Sequence, residues 1–68
     1  MLSYSEETDQ YLIVLNSTEY FLPCGVEPQF KIDSSGYFIS FIKEKKLVRI
    51  SVSDKEYSEM QNTFLLHS

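Results

Sequence analysis

The sequence has 68 residues, with ten acidic side chains against six basic ones, a formal net charge of −4, one cysteine and one histidine. A chain this short makes one domain, residues 1–68, with a small margin of stability, because it buries only about 60% of the surface that its unfolded form exposes. Its composition excludes an intramolecular disulfide framework and the usual four-ligand zinc site, and the acidic balance weighs against general affinity for nucleic acid.

Residues 1–9 are predicted to form a flexible acidic arm, because three carboxylates stand there among serines and threonines. The arm is too polar for a signal peptide, and no stretch of the chain approaches the roughly 20 apolar residues that span a bilayer. We therefore expect a cytoplasmic protein that makes no membrane contact.

Two strands and a loop are predicted after the arm. Tyr11–Leu15 is apolar on both faces, which is typical of a central strand. The dipeptide Asn16-Ser17 then indicates a two-residue turn into a second strand, Glu19–Leu22. In this register Ile13 pairs with Tyr20 and Leu12 with Phe21. Two prolines and a glycine interrupt regular structure over residues 23–28, so this segment is predicted to be a loop.

A third predicted strand, Gln29–Asp33, alternates between apolar and polar side chains. Phe30 and Ile32 are expected to point inward, and an edge position suits a strand with one polar face. Asp33, two serines and Gly36 follow in the order of a tight hairpin turn that ends in a glycine at positive φ.

The most strongly patterned part of the chain is a hairpin of two strands, Tyr37–Ile42 and Leu47–Val52. Its turn, residues 43–46, carries three lysines and one glutamate. A turn of two or four residues gives the same faces, whereas a turn of three would place Arg49 and Ser51 among the apolar side chains. The predicted core face consists of the pairs Phe41 with Val48, Ile39 with Ile50 and Tyr37 with Val52.

A helix is predicted directly after the hairpin. Ser53 and Glu56 have the spacing of a capping box, and Val52 and Tyr57 have that of a hydrophobic staple. Because the staple ties the helix to the hairpin, we expect the helix to cover the core face with an apolar stripe of Tyr57, Met60 and Phe64. The predicted fold class is α+β, with about five short antiparallel strands followed by one C-terminal helix. The strands would form either a meander sheet or a small curled barrel of the SH3 or OB kind.

The sequence offers no arrangement of catalytic residues. Cys24 lies in a Pro-Cys-Gly loop that could expose a nucleophile, but the only histidine, His67, lies next to the end of the chain, where a stable Cys–His pair is not expected. The carboxylates match no acid–base, HExxH or EF-hand pattern, and two glycines do not make a phosphate-binding loop. We expect a protein that is not an enzyme and that holds no metal or cofactor.

Four of the six basic side chains lie on the predicted hairpin, namely Lys43, Lys45, Lys46 and Arg49. Beside the aromatic rings of Tyr37, Phe38 and Phe41, they would suit a small barrel that binds single-stranded nucleic acid. Charged turns are common, however, and the acidic balance of the whole chain weighs against this alternative.

The reverse face of the hairpin is the main candidate for a binding surface. Phe38, Ile42 and Leu47 share this face with Arg49, and one helix cannot cover both faces of a sheet. An apolar patch with a polar rim is typical of an interface, although curling of the sheet would bury it.

The function predicted from this face is that of a small acidic, non-catalytic protein-binding module. It would dock onto a larger protein, or onto itself as a homodimer, in the manner of an inhibitor, a regulator or an accessory protein of a phage or mobile element. A further alternative is a non-catalytic subunit of an enzyme complex.

Overall fold

The computed structural model describes residues 1–67, which form an α+β fold of two antiparallel three-stranded sheets and one helix. The first sheet contains β1 (Leu2–Ser5), β2 (Gln10–Leu15) and β3 (Thr18–Phe21). The second sheet contains β4 (Gln29–Asp33), β5 (Gly36–Lys43) and β6 (Lys46–Val52), and the helix α1 spans Asp54–His67.

The strands form neither the single meander sheet nor the curled barrel that we predicted. The α+β class and the C-terminal helix are confirmed, but the strands divide into two separate meanders. The division falls between Phe21 and Gln29. Pro23 and Pro28 lie in this connection, and neither can donate a hydrogen bond to a continuous ladder.

The first sheet begins with a strand where we predicted a flexible arm. Leu2 pairs with Ile13, and its side chain is only 5% exposed. Beyond this pair, the amine and the carbonyl of Met1 each form a 2.8 Å hydrogen bond with the backbone of Val14. The ladder with β2 and the burial of Leu2 therefore order a segment whose composition alone is typical of an arm.

Two of the hairpins close through two-residue turns with the same geometry. Asn16 and Ser17 have φ values of 52° and 65°, and Glu44 and Lys45 have values of 53° and 64°. Positive φ at both central residues is the type I′ conformation, whose twist matches that of the flanking strands. The predicted pairs are confirmed, namely Ile13 with Tyr20, Leu12 with Phe21, Phe41 with Val48, Ile39 with Ile50 and Tyr37 with Val52.

The third hairpin turn, between β4 and β5, also follows the prediction. Asp33 pairs with Gly36, and a carboxylate oxygen of Asp33 accepts a 2.7 Å hydrogen bond from the backbone N–H of Ser35. Gly36 has a φ of 130°, which favours glycine. β4 lies at the edge of its sheet, as predicted.

The helix begins with the predicted capping box. The Glu56 N–H donates a 3.1 Å hydrogen bond to the Ser53 hydroxyl oxygen, and the Ser53 N–H donates to a Glu56 carboxylate oxygen at 3.5 Å. Asp54 and Glu56 place negative charge in the first turn, at the positive end of the helix dipole. Within residues 1–67, no helix combines the length and the apolar character that a membrane crossing requires.

The core lies between the inner faces of the two sheets and the apolar stripe of α1. The rings of Tyr20 and Phe41 connect the two sheets, with centroids 5.6 Å apart. Phe64 reaches both sheets from the helix, because its ring lies 5.6 Å from Tyr11 and 5.5 Å from Phe30. The buried apolar residues are Leu2, Tyr11, Ile13, Leu15, Leu22, Ile39, Phe41, Tyr57 and Met60.

The burial of side chains on two strands, β2 and β4, differs from the prediction. In β2 the side chains of Leu12 and Val14 are only half-buried, so this central strand is fully covered on one face rather than on both. In β4 Phe30 packs against Tyr57 of the helix. Ile32 lies on the same face, opposite Tyr37, but it is 62% exposed, because it stands on an edge strand.

Candidate functional site

The clearest exposed apolar group on the second sheet lies at the turn end of the β5–β6 hairpin. Ile42 and Leu47 are cross-strand partners that flank the turn, so their side chains stand together on the outer face. Ile42 is 49% exposed and Leu47 is 66% exposed. Together with Lys45 and Lys46 of the turn, these two residues are called the hairpin patch below.

The four residues predicted to share this surface are separated into two groups. The guanidinium of Arg49 lies 3.7 Å from the centroid of the Phe38 ring and forms a 2.6 Å salt bridge with Asp33. Arg49 therefore covers Phe38, and its charge is compensated within the chain. Of the three apolar residues, Phe38 is half-buried, and Ile42 and Leu47 are exposed.

A groove of about 270 Å³ adjoins the exposed pair. Part of its wall comes from the loop before β4, which the sequence did not connect with this surface. Its position beside the hairpin follows from the packing of the two sheets rather than from any local pattern. The lining residues are Val26, Glu27, Gln29, Phe41, Ile42 and Leu47.

Residues 43–46 carry a net positive charge, because three lysines stand there beside one glutamate. Lys43 and Lys46 are cross-strand partners, and like charges in directly opposed positions destabilise a hairpin. The ammonium of Lys43 lies 6.0 Å from the centroid of the Tyr20 ring. Lys45 and Lys46 make no salt bridge within residues 1–67. An anionic partner would therefore be favoured at this end of the hairpin.

The aromatic residues near the lysines do not form an open stacking surface. Phe41 is buried in the core, Tyr37 packs against Tyr57, and Phe38 lies under Arg49. Binding of single-stranded nucleic acid uses exposed rings beside the cationic groups. The surroundings of Lys43, Lys45 and Lys46 therefore suit carboxylates better than unpaired bases.

Tyr4, Asp9 and His67 line a small cavity of about 90 Å³, and Cys24 precedes another lining residue, Gly25. The hydroxyl of Tyr4 donates a hydrogen bond to one carboxylate oxygen of Asp9, and the thiol of Cys24 lies 3.7 Å from the other. His67 stacks on the Tyr4 ring instead, with centroids 5.1 Å apart. Cys24 thus faces a carboxylate and not an imidazole, so Cys24 and His67 do not form a Cys–His pair. No group of metal-ligating side chains occurs in the described part of the chain.

The hydrogen bond with Asp9 raises the pKa of Tyr4 to about 12, with a smaller contribution from desolvation. The pKa of Tyr11 is also raised, mainly by burial, with further effects of Glu27 and Asp9. Both tyrosines therefore hold their protons more tightly in the folded chain than in the unfolded one. The stability that Tyr4 contributes is present below pH 10 and is lost as the pH rises towards 12. The contribution of Tyr11 is likewise present below pH 10 and is lost as the pH rises above it.

We expect Asp9→Asn to lower the pKa of Tyr4 towards its ordinary value of 10, because the charged acceptor is removed. An NMR titration of the Tyr4 ring carbons measures this pKa without interference from the other tyrosines. Glu7→Gln is the matched control, since Glu7 lies on the same turn and does not contribute to the shift. Equal Tyr4 pKa values in the wild type and Asp9→Asn would contradict the hydrogen bond.

A second apolar pair lies on the outer face of the first sheet, where the sequence predicted the pairing of the two residues but not the exposure of that face. Leu12 pairs with Phe21, and the Phe21 side chain is 58% exposed. The signal was the alternation in β3, since an inward Tyr20 requires an outward Phe21. These two residues line a groove of about 320 Å³ together with Ser3, Tyr4, Ser5, Thr8, Gln10 and Tyr11.

Comparison of this chain with protein-family models, with curated proteins and with solved structures finds no match. The exposed surfaces of the chain therefore provide the evidence about its function.

Proposed function

We propose that this chain is a non-catalytic protein-binding module that docks an acidic, partly apolar protein segment on its hairpin patch. The observation that carries the proposal is the exposed Ile42–Leu47 pair beside two lysines that have no acidic partner within residues 1–67. An inhibitor, a regulator or a non-catalytic subunit of an enzyme complex would each use such a surface. The proposal includes the predicted cytoplasmic location, which suits the unpaired, exposed Cys24.

Estimates of the binding energy favour a partner that covers more than the apolar pair. Full burial of an Ile or Leu side chain contributes about 1.5–3 kcal/mol, and about half of that remains available at Ile42 and Leu47. Association costs about 4–15 kcal/mol in lost freedom of motion. A stable complex therefore also requires filling of the adjoining groove and charge pairing with Lys45 and Lys46. We expect affinity that falls as the salt concentration rises.

The charge of the hairpin patch favours a different surface as its partner over a copy of itself. In a two-fold homodimer the same patch lies on both sides of the interface. The lysines of the two copies would then stand close together, and like charges in such positions disfavour association. An acidic segment removes this repulsion and compensates the Lys43–Lys46 pair as well. The two-fold homodimer through this patch remains a prediction that light scattering can test.

Selection of displayed random peptides on the immobilised chain tests the proposed function. We expect enrichment of peptides that combine Asp or Glu with large apolar side chains. Their dissociation constants should rise at least tenfold for Leu47→Glu, which removes the apolar contact and adds a repelling charge. Leu66→Glu is the matched control, because Leu66 is 81% exposed on the helix.

Two results would reject docking at the hairpin patch. One is enrichment of peptides that bind the wild type and Leu47→Glu equally well. The other is the absence of any enriched acidic peptide. Preference for a labelled single-stranded oligonucleotide over every acidic peptide would instead favour the nucleic-acid alternative.

A further inference from the structure

We infer that the outer face of the first sheet is a second docking surface, and that its occupant is the hairpin patch of another copy of this chain. This inference rests on the proposed function, because it names one partner for the hairpin patch. The result would be head-to-tail self-association, in which two different surfaces meet.

The outer face of the first sheet has an apolar groove that suits the hairpin patch. The half-buried Leu12 and the exposed Phe21 border the groove of about 320 Å³ on the first sheet. The hairpin patch presents a pair of similar size, Ile42 and Leu47, beside the β5–β6 turn. Contact between the two pairs would remove from water every exposed large apolar side chain of the six strands apart from Ile32.

Acidic and basic side chains are separated between the two sheets. From Leu2 to Phe21 the chain has four acidic side chains and no lysine or arginine. From Gln29 to Val52 it has five basic side chains against two acidic ones. One sheet thus carries only acidic charge and the other is predominantly basic, so different faces of two copies attract each other.

The acidic side chains of the first sheet adjoin residues that line its groove. Glu6 and Glu7 follow directly after Ser5, and Thr8 comes next, so groove-lining residues stand on both sides of the two glutamates. Glu19 lies two residues before Phe21 on β3 and therefore on the same outer face. Glu19 thus stands beside the Leu12–Phe21 pair, and Lys45 of the turn stands next to the Ile42–Leu47 pair, with Lys46 on the opposite face of β6 from Leu47.

The arrangement of the two surfaces decides the form of the assembly. Both sheets direct their inner faces to one core, so the two outer faces point away from each other. Each copy can therefore contact two neighbours at once, through a different surface on each side. A head-to-tail contact of this kind closes into a ring if the rotation allows it and otherwise extends as a chain.

Charge-reversal substitutions on the two surfaces test the inference. The test uses an acid-reversed variant, Glu6→Lys with Glu7→Lys, and a base-reversed variant, Lys45→Glu with Lys46→Glu. In light scattering at low salt, the mean mass of the wild type should rise with protein concentration. Either variant alone should self-associate about tenfold more weakly, because attraction is replaced by repulsion at the contact.

Recovery of self-association when the charges are again complementary distinguishes a specific contact from a general effect of charge. A mixture of the two variants should associate again, because each variant then meets a surface of opposite charge. A chain that carries all four substitutions should also associate, since its two surfaces are again complementary. Glu59→Lys and Lys55→Glu on the exposed side of the helix are the matched controls and should associate like the wild type.

Three results would overturn the inference. The wild type could stay monomeric at millimolar concentration, or the variants could associate like the wild type. The third result is a loss of association that neither the mixture nor the fourfold variant restores. The acid-reversed variant also separates this inference from the proposed function. It should lose self-association but retain the selected acidic peptides, which bind at the hairpin patch. A monomeric wild type that still binds those peptides would reject only the head-to-tail contact.

Discussion

We expect Phe41→Ala to lower the free energy of unfolding by about 3–5 kcal/mol, because it removes the largest fully buried side chain and leaves a cavity. Phe41 is 2% exposed and joins the two sheets through its contact with Tyr20. A domain of 68 residues has a free energy of unfolding of about 3–10 kcal/mol, at 0.05–0.15 kcal/mol per residue. The substitution should therefore remove a large part of the total free energy of unfolding.

Urea denaturation followed by far-ultraviolet circular dichroism measures this loss. With a slope of about 1 kcal/mol per molar urea, the midpoint should fall by about 3–5 M. Phe21→Ala is the matched control, since the same side chain is removed from the outer face of the first sheet. We expect it to cost less than about 1 kcal/mol, as is usual for an exposed position. Similar losses for both variants would contradict the assignment of Phe41 to a core shared by the two sheets.

We expect Met60→Ala to lower the free energy of unfolding by about 2–5 kcal/mol. Met60 is 1% exposed, and it is the most deeply buried side chain of the helix. Alanine has the higher helix propensity, so the whole loss comes from the packing of α1 on the sheets. A helix of 14 residues is marginal on its own, and the weakened contact should also increase hydrogen exchange of its amides.

Leu66→Ala on the same helix is the control for this prediction. Leu66 is exposed, so its truncation should change the free energy of unfolding by no more than about 0.5 kcal/mol. Both variants are compared by urea denaturation and by hydrogen exchange of α1. If Met60→Ala were as stable as Leu66→Ala, the helix would not pack on the core as described.

Much of the hairpin and the helix could be predicted because their causes are local. The alternation of apolar residues from Tyr37 to Val52 fixes the register, since a shift of one residue would reverse every side chain. The capping box is a short-range exchange of hydrogen bonds between Ser53 and Glu56. The sequence also predicted Ile42 and Leu47 as neighbours on one face, which the structure confirms.

The candidate surface could be predicted only in part, because coverage depends on residues distant in the chain. Phe38 shares a face with Ile42, but Asp33 holds Arg49 across the Phe38 ring. The groove beside Leu47 depends on the loop that carries Val26. The pairing of Leu12 with Phe21 was predicted, but the exposure of Phe21 was not. The residues from Tyr11 to Leu15 are apolar on both faces, so their pattern does not distinguish the covered side from the open one.

The sequence by itself determined the hairpin registers, the start of the helix, the α+β class and the distribution of charge along the chain, since these depend on neighbouring residues and on composition. Only the tertiary structure decided that Leu2–Ser5 is a strand and that the strands divide into two sheets. It also decided which apolar side chains stay exposed. The physical reason is that alternation assigns side chains to a face, whereas burial of that face requires another element to pack against it, and such packing joins residues that are far apart in the chain.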